Sequence, residues 1–331
     1  ADLIAAGEVV ERPASAVKEL VENSIDAGAK NITIELQNGG MTFLRITDDG
    51  CGMEPVDART AFLRHATSKI RKKEDLACIG TLGFRGEALA AISSVSKIDL
   101  LTRAQGAENG VRLHLEAGQV LSEEPAGCPY GTTILVRELF YNTPARMKFM
   151  KSDAAESSAV FSVVQQQALA HPEISFRFLK DGQEQLHTDG QGNRMAAIYA
   201  IYGRELANNM LPVDGSWLRV RGFVTKPTAT RGNRAWQSFF VNNRYIKSRL
   251  LSAALEEAYR NQIMVGRFPA CVLEIDMPVQ AVDVNVHPAK TEVKFLSERE
   301  VFDAVHYAVL STLSRAAGRP EWKTPEKKQE A

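Results

Sequence analysis

The chain has 331 residues, of which 44% are apolar and 24% charged, a composition that fits a globular protein and excludes a disordered one. Lys plus Arg and Asp plus Glu number 40 each, so the formal net charge is zero. No apolar run approaches the roughly 18 residues needed to span a bilayer, and no charged-then-apolar leader opens the chain, so a cytoplasmic location without membrane contact is expected. Cys51, Cys78, Cys128 and Cys271 are scattered without C-x-x-C spacing, which argues against a zinc site or a disulfide framework and for reduced thiols.

The first clear element is helical. In "VKELVENSIDAGAK", residues 17–30, Val17, Leu20, Val21 and Ser24 form one stripe, and Glu19, Glu22, Asn23 and Asp26 form another. Pro13 suits the first turn and Gly28 suits a stop. Only Lys18 lies close to the acceptor-rich stripe. That stripe is expected either to meet a cation or a water to be activated, or to be a plain solvated face.

Residues 31–36 and 43–50 alternate like strands around Asn38-Gly39-Gly40, a hairpin signal. Helices are expected near 55–64 and from Glu87 onward. Between them "SKIRKKEDLACIGTLGFRG" reads as a long loop of the kind that serves as a lid or is disordered. Strands are expected at 97–102, 111–115 and 132–136, then a long helix at 153–170 and a strand in "ISFRFL". The ordering is α+β, without a repeating βαβ pattern. Residues 180–193, "KDGQEQLHTDGQGN", are expected to be the weakest-folding interior stretch and to hold the domain boundary, dividing the chain into 1–190 and 191–316 with a tail at 317–331.

The second domain offers a helix at 194–202, strands at 218–224, 238–241, 271–275 and 293–295, and helices at 249–261 and 298–314. Charge is concentrated here. Residues 217–267 hold ten Lys or Arg against Glu256 and Glu257, a local +8, with Trp236, Phe239, Phe240 and Tyr245 interleaved. Such a segment is a candidate nucleic-acid surface, or else a basic face turned to acidic neighbours.

Three glycine-rich stretches could carry chemistry. "DDGCGM" places Asp48, Asp49, Gly50 and Gly52 at a strand end, where glycines permit close backbone approach to a flat ligand and a carboxylate accepts from an exocyclic amine. "GTLGFRGEA" leads into a helix start, whose free N–H groups suit phosphate. "GTT", residues 131–133, opens a strand. No G-x-x-x-x-G-K-[ST] occurs, which excludes a P-loop.

Taken in order, an acidic and Asn-bearing helix, D-x-G-x-G, a glycine lid and G-T on a strand resemble the Bergerat ATP-binding fold. That fold is shared by type II topoisomerase ATPase subunits, heat-shock chaperones, sensor histidine kinases and mismatch-repair MutL proteins. "IAAGEVVERPASAVKELVENSIDAGA", "DDGCGM", "RHATSKI", "LGFRGEALAAISSVS", "LFYNTPARMKF", "FVNNR" and "VDVNVHPAKTEVKF" are similar to MutL, over roughly residues 4–314. The resemblance implies a Bergerat-type α/β sandwich followed by an α+β transducer domain of ribosomal-protein-like fold.

The resemblance also implies roles. Glu19 would be the general base for the attacking water, and Asn23 would give its oxygen to Mg2+. Asp48 would read the adenine amino group of ATP, with Gly50, Gly52 and Thr132 or Thr133 completing the base pocket. Thr67, Ser68 and Lys69 fall to the nucleotide as well, as do Leu82, Gly83, Phe84, Arg85 and Gly86 in a lid spanning 68–86. Lys290 would reach the γ-phosphate from the second domain. Arg231, Arg234, Arg244, Lys247 and Arg249 would meet DNA. The implied partners are DNA, a MutS-type mismatch recognition protein and a second copy in an ATP-dependent homodimer. Only Ala1, Asp2 and Leu3 precede "IAAGEVV", where MutL chains usually carry a longer arm that helps the dimer form, and no D-Q-H-A-type motif occurs, so no nuclease activity is expected. The alternatives are a binding module with structural ATP, and a topoisomerase or histidine-kinase module, which "GFRGEALAAISSVS" and "VNVHPAK" disfavour.

Overall fold

The computed structural model describes residues 10–63, 87–215, 218–284 and 291–318, and the chain divides into two compact units, Ala1–Ala200 and Ile201–Ala331. The first unit contains α1 (Pro13–Asp26), β1 (Asn31–Gln37), β2 (Phe43–Asp48), α2 (Pro55–Thr60), α3 (Ala88–Ser94), β3 (Lys97–Arg103), β4 (Gly110–Glu116), β5 (Gln119–Ala126), β6 (Gly131–Arg137), α4 (Pro144–Met147), α5 (Asp153–Ala170), β7 (Ser175–Lys180) and β8 (Gln183–His187). The strands form one eight-stranded sheet in the order β5-β4-β3-β6-β2-β1-β7-β8. Only the β1–β7 pair is parallel.

Period-two alternation decides which side chains enter the core. Ile32, Ile34 and Leu36 on β1, Leu44 and Ile46 on β2, Ile98 and Leu100 on β3, and Ile134 and Val136 on β6 are buried and in register. Helices α1, α3 and α5 cover this face, α1 packs against both others, and its Val17, Leu20 and Val21 are buried. Each fully buried aliphatic side chain contributes about 1.5–3 kcal/mol, so this layer supplies most of the unit's stability. Arg12 donates twice to the buried Glu156 Oε2, at 3.0 and 2.9 Å, and ties the start of α1 to α5. The opposite face carries ion pairs: Arg45 with Glu35, Arg112 and Arg137 with Asp99, Lys97 with Glu138 and Arg177 with Glu184.

Two strands of the first unit run against the sequence reading. β8 lies within the stretch expected to fold most weakly; it holds because it pairs antiparallel with β7 and buries Leu186. β5, which sequence pattern missed, is exposed along nearly its whole length and shows no alternation. Its place on the sheet edge comes from pairing with β4, not from burial.

The second unit opens with the latter half of α6 (Arg194–Ala207), which begins before the division and bears Gly203 at φ 81°. It continues with β9 (Met210–Asp214), β10 (Val220–Thr225), β11 (Gln237–Val241), β12 (Arg244–Ile246), α7 (Arg249–Ala258), β13 (Cys271–Ile275), β14 (Val282–Asp283), β15 (Lys294–Phe295) and α8 (Glu298–Ala316). The main sheet runs β12-β11-β13-β10-β9, with β11 and β13 parallel. Helices α7 and α8 bury Leu251, Leu255, Val305 and Val309 against Val220, Val224, Phe239, Leu273 and Ile275. No described helix in either unit is long and apolar enough to cross a membrane.

Candidate active site

The site begins with a polar residue where the strand pattern calls for an apolar one. Leu44, Ile46 and Asp48 share the inward face of β2, and Asp48 is only 8% exposed. Burying a carboxylate is costly unless hydrogen bonds hold it. Ser24 Oγ donates to Asp48 Oδ2 at 2.7 Å and the Gly50 N–H donates to Oδ1 at 3.0 Å. Burial nevertheless pushes the Asp48 carboxyl above the usual range, with the Ser24, Gly50 and Thr132 hydrogen bonds acting in the other direction. Its bonding partners are a hydroxyl and two amides.

Asp49, the next residue, points elsewhere and serves the fold. Its Oδ1 accepts from the Lys30 and Asn31 N–H groups at 2.7 and 2.8 Å, and its Oδ2 accepts from Asn31 Nδ2 at 2.7 Å. Partial burial would raise its carboxyl, but the Asn31 and Lys30 bonds win and hold it below the usual range. Gly52 sits at φ +66°, and a Cβ there would lie 2.0 Å from the Arg103 carbonyl oxygen. Its glycine is required by the end of β3, whereas Gly50 keeps an ordinary φ and is crowded by Ala27. Gly131, at φ +100°, leaves no room either: a Cβ would lie 2.1 Å from the Asp48 carbonyl oxygen.

The register separates the two threonines of "GTT". Thr132 pairs with Asp48 and shares its face. Thr133 pairs with Thr47 on the opposite face, where its hydroxyl donates to Thr47 Oγ1 at 3.2 Å. Only Thr132 therefore belongs to the pocket. Ser24 falls on the apolar stripe by spacing, and its hydroxyl meets Asp48; a single hydroxyl among Val17, Leu20 and Val21 is the available signal. The buried Thr102, at an inward position of β3, was likewise missed.

The acceptor stripe of α1 is only partly as expected. Glu22 is buried and paired with Lys18 Nζ at 2.7 Å, so it is neither exposed nor uncompensated. Glu19, one position on from Lys18, lies 3.8 Å from the same ammonium and keeps a partly exposed side chain. Asn23 and Asp26 stand one turn further along the helix. Among the described residues no three His, Cys, Asp or Glu side chains converge as a metal cage. Thr67, Ser68, Lys69, Leu82, Gly83, Phe84, Arg85, Gly86 and Lys290 lie outside the described residues.

In the second unit the basic segment is more heavily paired than its sequence implies. Arg234 donates to both carboxylate oxygens of Glu256, at 2.6 and 2.9 Å, and its guanidinium lies 4.3 Å from the Phe268 ring centroid. Arg231 lies 3.8 Å from Glu205 and 5.2 Å from the Trp236 centroid. Arg260 pairs with Glu257, and Arg221 with Asp276. Phe239 and Phe240 are 3% and 0% exposed, so neither is open for stacking on a base. Lys247 and Arg249 are exposed around the N-cap Ser248 of α7, and Arg244 opens β12.

Comparison with known proteins matches two separate stretches of the chain. Residues 11–126 match the family described as "Histidine kinase-, DNA gyrase B-, and HSP90-like ATPase" and residues 198–314 match "DNA mismatch repair protein, C-terminal domain". The DNA mismatch repair protein MutL of Agathobacter rectalis is 47% identical over 97% of this chain and 50% of its own length. A solved N-terminal domain of a DNA repair protein superposes with a TM-score of 0.78 at 27% identity, covering 95% of this chain and 98% of that one. The Aquifex aeolicus MutL ATPase domain complexed with ADP gives a TM-score of 0.60 at 28% identity, over 82% of this chain and 93% of that one. The chain spans about half the length of the curated relatives it matches. With both of its units matched and close relatives aligned along nearly all of it, the chain belongs to the MutL family of DNA mismatch repair proteins.

Proposed function

We propose that the pocket at Asp48 binds the adenine of ATP and that this chain hydrolyses ATP with Mg2+ as part of a DNA mismatch repair protein. The observation that carries the reading is Asp48 itself, a buried carboxyl at the end of β2 held by Ser24 and Gly50 and met by no cation among its bonding partners. An acceptor kept dry in this way is matched by the exocyclic amine of adenine. Glu19 polarises the attacking water, a contribution of roughly 10²–10⁴ in rate for a placed general base. Asn23, on the same side of α1 one turn later, would hold Mg2+, which when bound neutralises charge on the phosphates. Lys290 is assigned to the γ-phosphate, and the lid over 68–86 to the phosphates as a whole, on the family resemblance alone.

The wider function in this reading is an ATP-gated clamp on DNA, closed as a homodimer and answering a MutS-type mismatch recognition protein. Arg231, Arg234, Arg244, Lys247 and Arg249 supply phosphate contacts without base readout. Binding and turnover by two variants test the nucleotide part. Asp48→Ala should abolish measurable ATP binding, whereas Glu19→Ala should keep affinity within several-fold and lose most of kcat. Equal loss of affinity in both variants would remove the division of labour between base reading and catalysis.

A further inference from the structure

The floor of the pocket is tied together by a threonine to which neither family motif nor composition draws attention. Thr102 is fully buried near the end of β3, in register with Thr132 on β6, which is itself in register with Asp48. Its hydroxyl lies 3.0 Å from the Gly131 carbonyl oxygen, 3.0 Å from the Met53 backbone nitrogen and 3.1 Å from Thr132 Oγ1. A hydroxyl has one hydrogen and two lone pairs. The Gly131 carbonyl can only accept, so it takes the Thr102 hydrogen. The Met53 N–H can only donate, so it fills one lone pair. The other lone pair leaves Thr132 a single role toward Thr102, that of donor. The Thr132 hydrogen is thereby committed inside the protein, and Thr132 Oγ1 offers the pocket lone pairs alone.

We infer that Thr102 is a positioning residue that fixes Thr132 as an acceptor, and so makes the pocket select a base bearing an amino group over one bearing a carbonyl oxygen at the same position. This inference rests on the adenine reading of the Asp48 pocket. A base with a carbonyl oxygen would meet Asp48 and Thr132, two acceptors, with no hydrogen between them. Sites built for one hydrogen-bond polarity reject the opposite one because buried groups are left unpaired. Without the Thr102 hydroxyl, Thr132 can rotate and donate, and the penalty against a carbonyl falls. The Met53 N–H loses its acceptor at the same time, which loosens the Gly52–Met53 loop.

The test is equilibrium binding of ATP and of inosine triphosphate, which carries a carbonyl oxygen in place of the amino group, by the whole 331-residue chain. Wild type should prefer ATP, and Thr102→Val should lower that preference by roughly tenfold, the size of one unpaired buried group. Thr102→Ser keeps the hydroxyl and should keep the preference, while hydrogen exchange at the Met53 amide should speed up in Thr102→Val only. Equal weakening of both nucleotides in Thr102→Val, or loss of preference in Thr102→Ser, overturns the inference. Thr132→Val reads the same arrangement if Thr102→Val does not fold, and an unchanged preference there overturns it too. A wild-type chain that binds neither nucleotide defeats the adenine reading itself, which is a distinguishable result.

Discussion

The Asp48 pocket in the first unit and the basic segment in the second use polar residues in opposite ways. In the pocket, Asp48, Ser24 and Thr102 are buried, and their polar atoms are met by hydroxyls, amides and carbonyls of the chain itself. In the basic segment, Arg234 is exposed and neutralised by Glu256, and Arg221 by Asp276. Ten cations against two acids along the sequence become ten against four once Glu205 and Asp276 are counted. Buried polar groups cost stability and persist where each is matched, whereas exposed pairs are worth about 0–1 kcal/mol and can be rearranged by a partner. A count of charges therefore says less about function than the position of one carboxyl.

The largest difference between the regions should appear in backbone substitutions. Gly52→Ala places a Cβ 2.0 Å from a carbonyl oxygen at φ +66°, and should cost roughly 2–4 kcal/mol in chemical denaturation. Gly232→Ala, beside Arg231, meets nothing within 4 Å at an ordinary φ, and should change stability by less than about 1 kcal/mol. Similar losses in both would erase the contrast between a rigid pocket and a tolerant basic face.

A smaller effect tests the cost of the buried carboxyl. Its folded pKa is raised above 3.8, chiefly by burial. In this pH range the folded chain holds a proton that the unfolded chain has released, so the stability conferred by the protonated form is full below 3.8 and lost as pH rises through the folded pKa. Ionised Asp48 is therefore destabilising at neutral pH, and Asp48→Asn should raise Tm there while ATP binding is lost. The advantage should shrink as the pH is lowered toward 4. A lower Tm for Asp48→Asn at pH 7 would show that ionised Asp48 stabilises the fold.

The smallest effects belong to the basic segment. Arg244→Glu should weaken DNA binding similarly across unrelated sequences, flatten the dependence on salt, and leave ATPase activity without DNA nearly unchanged. Glu256→Gln releases Arg234 and should tighten DNA binding by a few-fold at low salt. Loss confined to one DNA sequence, or no response to either change, would count against a phosphate-contacting surface here.

The sequence alone determined the α+β class and most of the element order, while β5, β8, β9 and β12 stood outside its pattern. The alternation in 31–36 and 43–48 and the helical stripe of 17–24 follow from local periodicity, and local periodicity is what a sequence displays. The D-x-G-x-G run also marked Asp48 correctly as the carboxyl at a strand end. Register and pairing were decided only in three dimensions. β5 and β8 exist because neighbouring strands complete their hydrogen bonds, which no local pattern encodes. Thr132 and Thr133 are adjacent in sequence and chemically identical, and they part because successive side chains on a strand point to opposite faces and β6 meets β2 in one register. Glu22 left the acceptor face, and Ser24 and Thr102 joined the site, for the same reason: burial and partners belong to the packed chain.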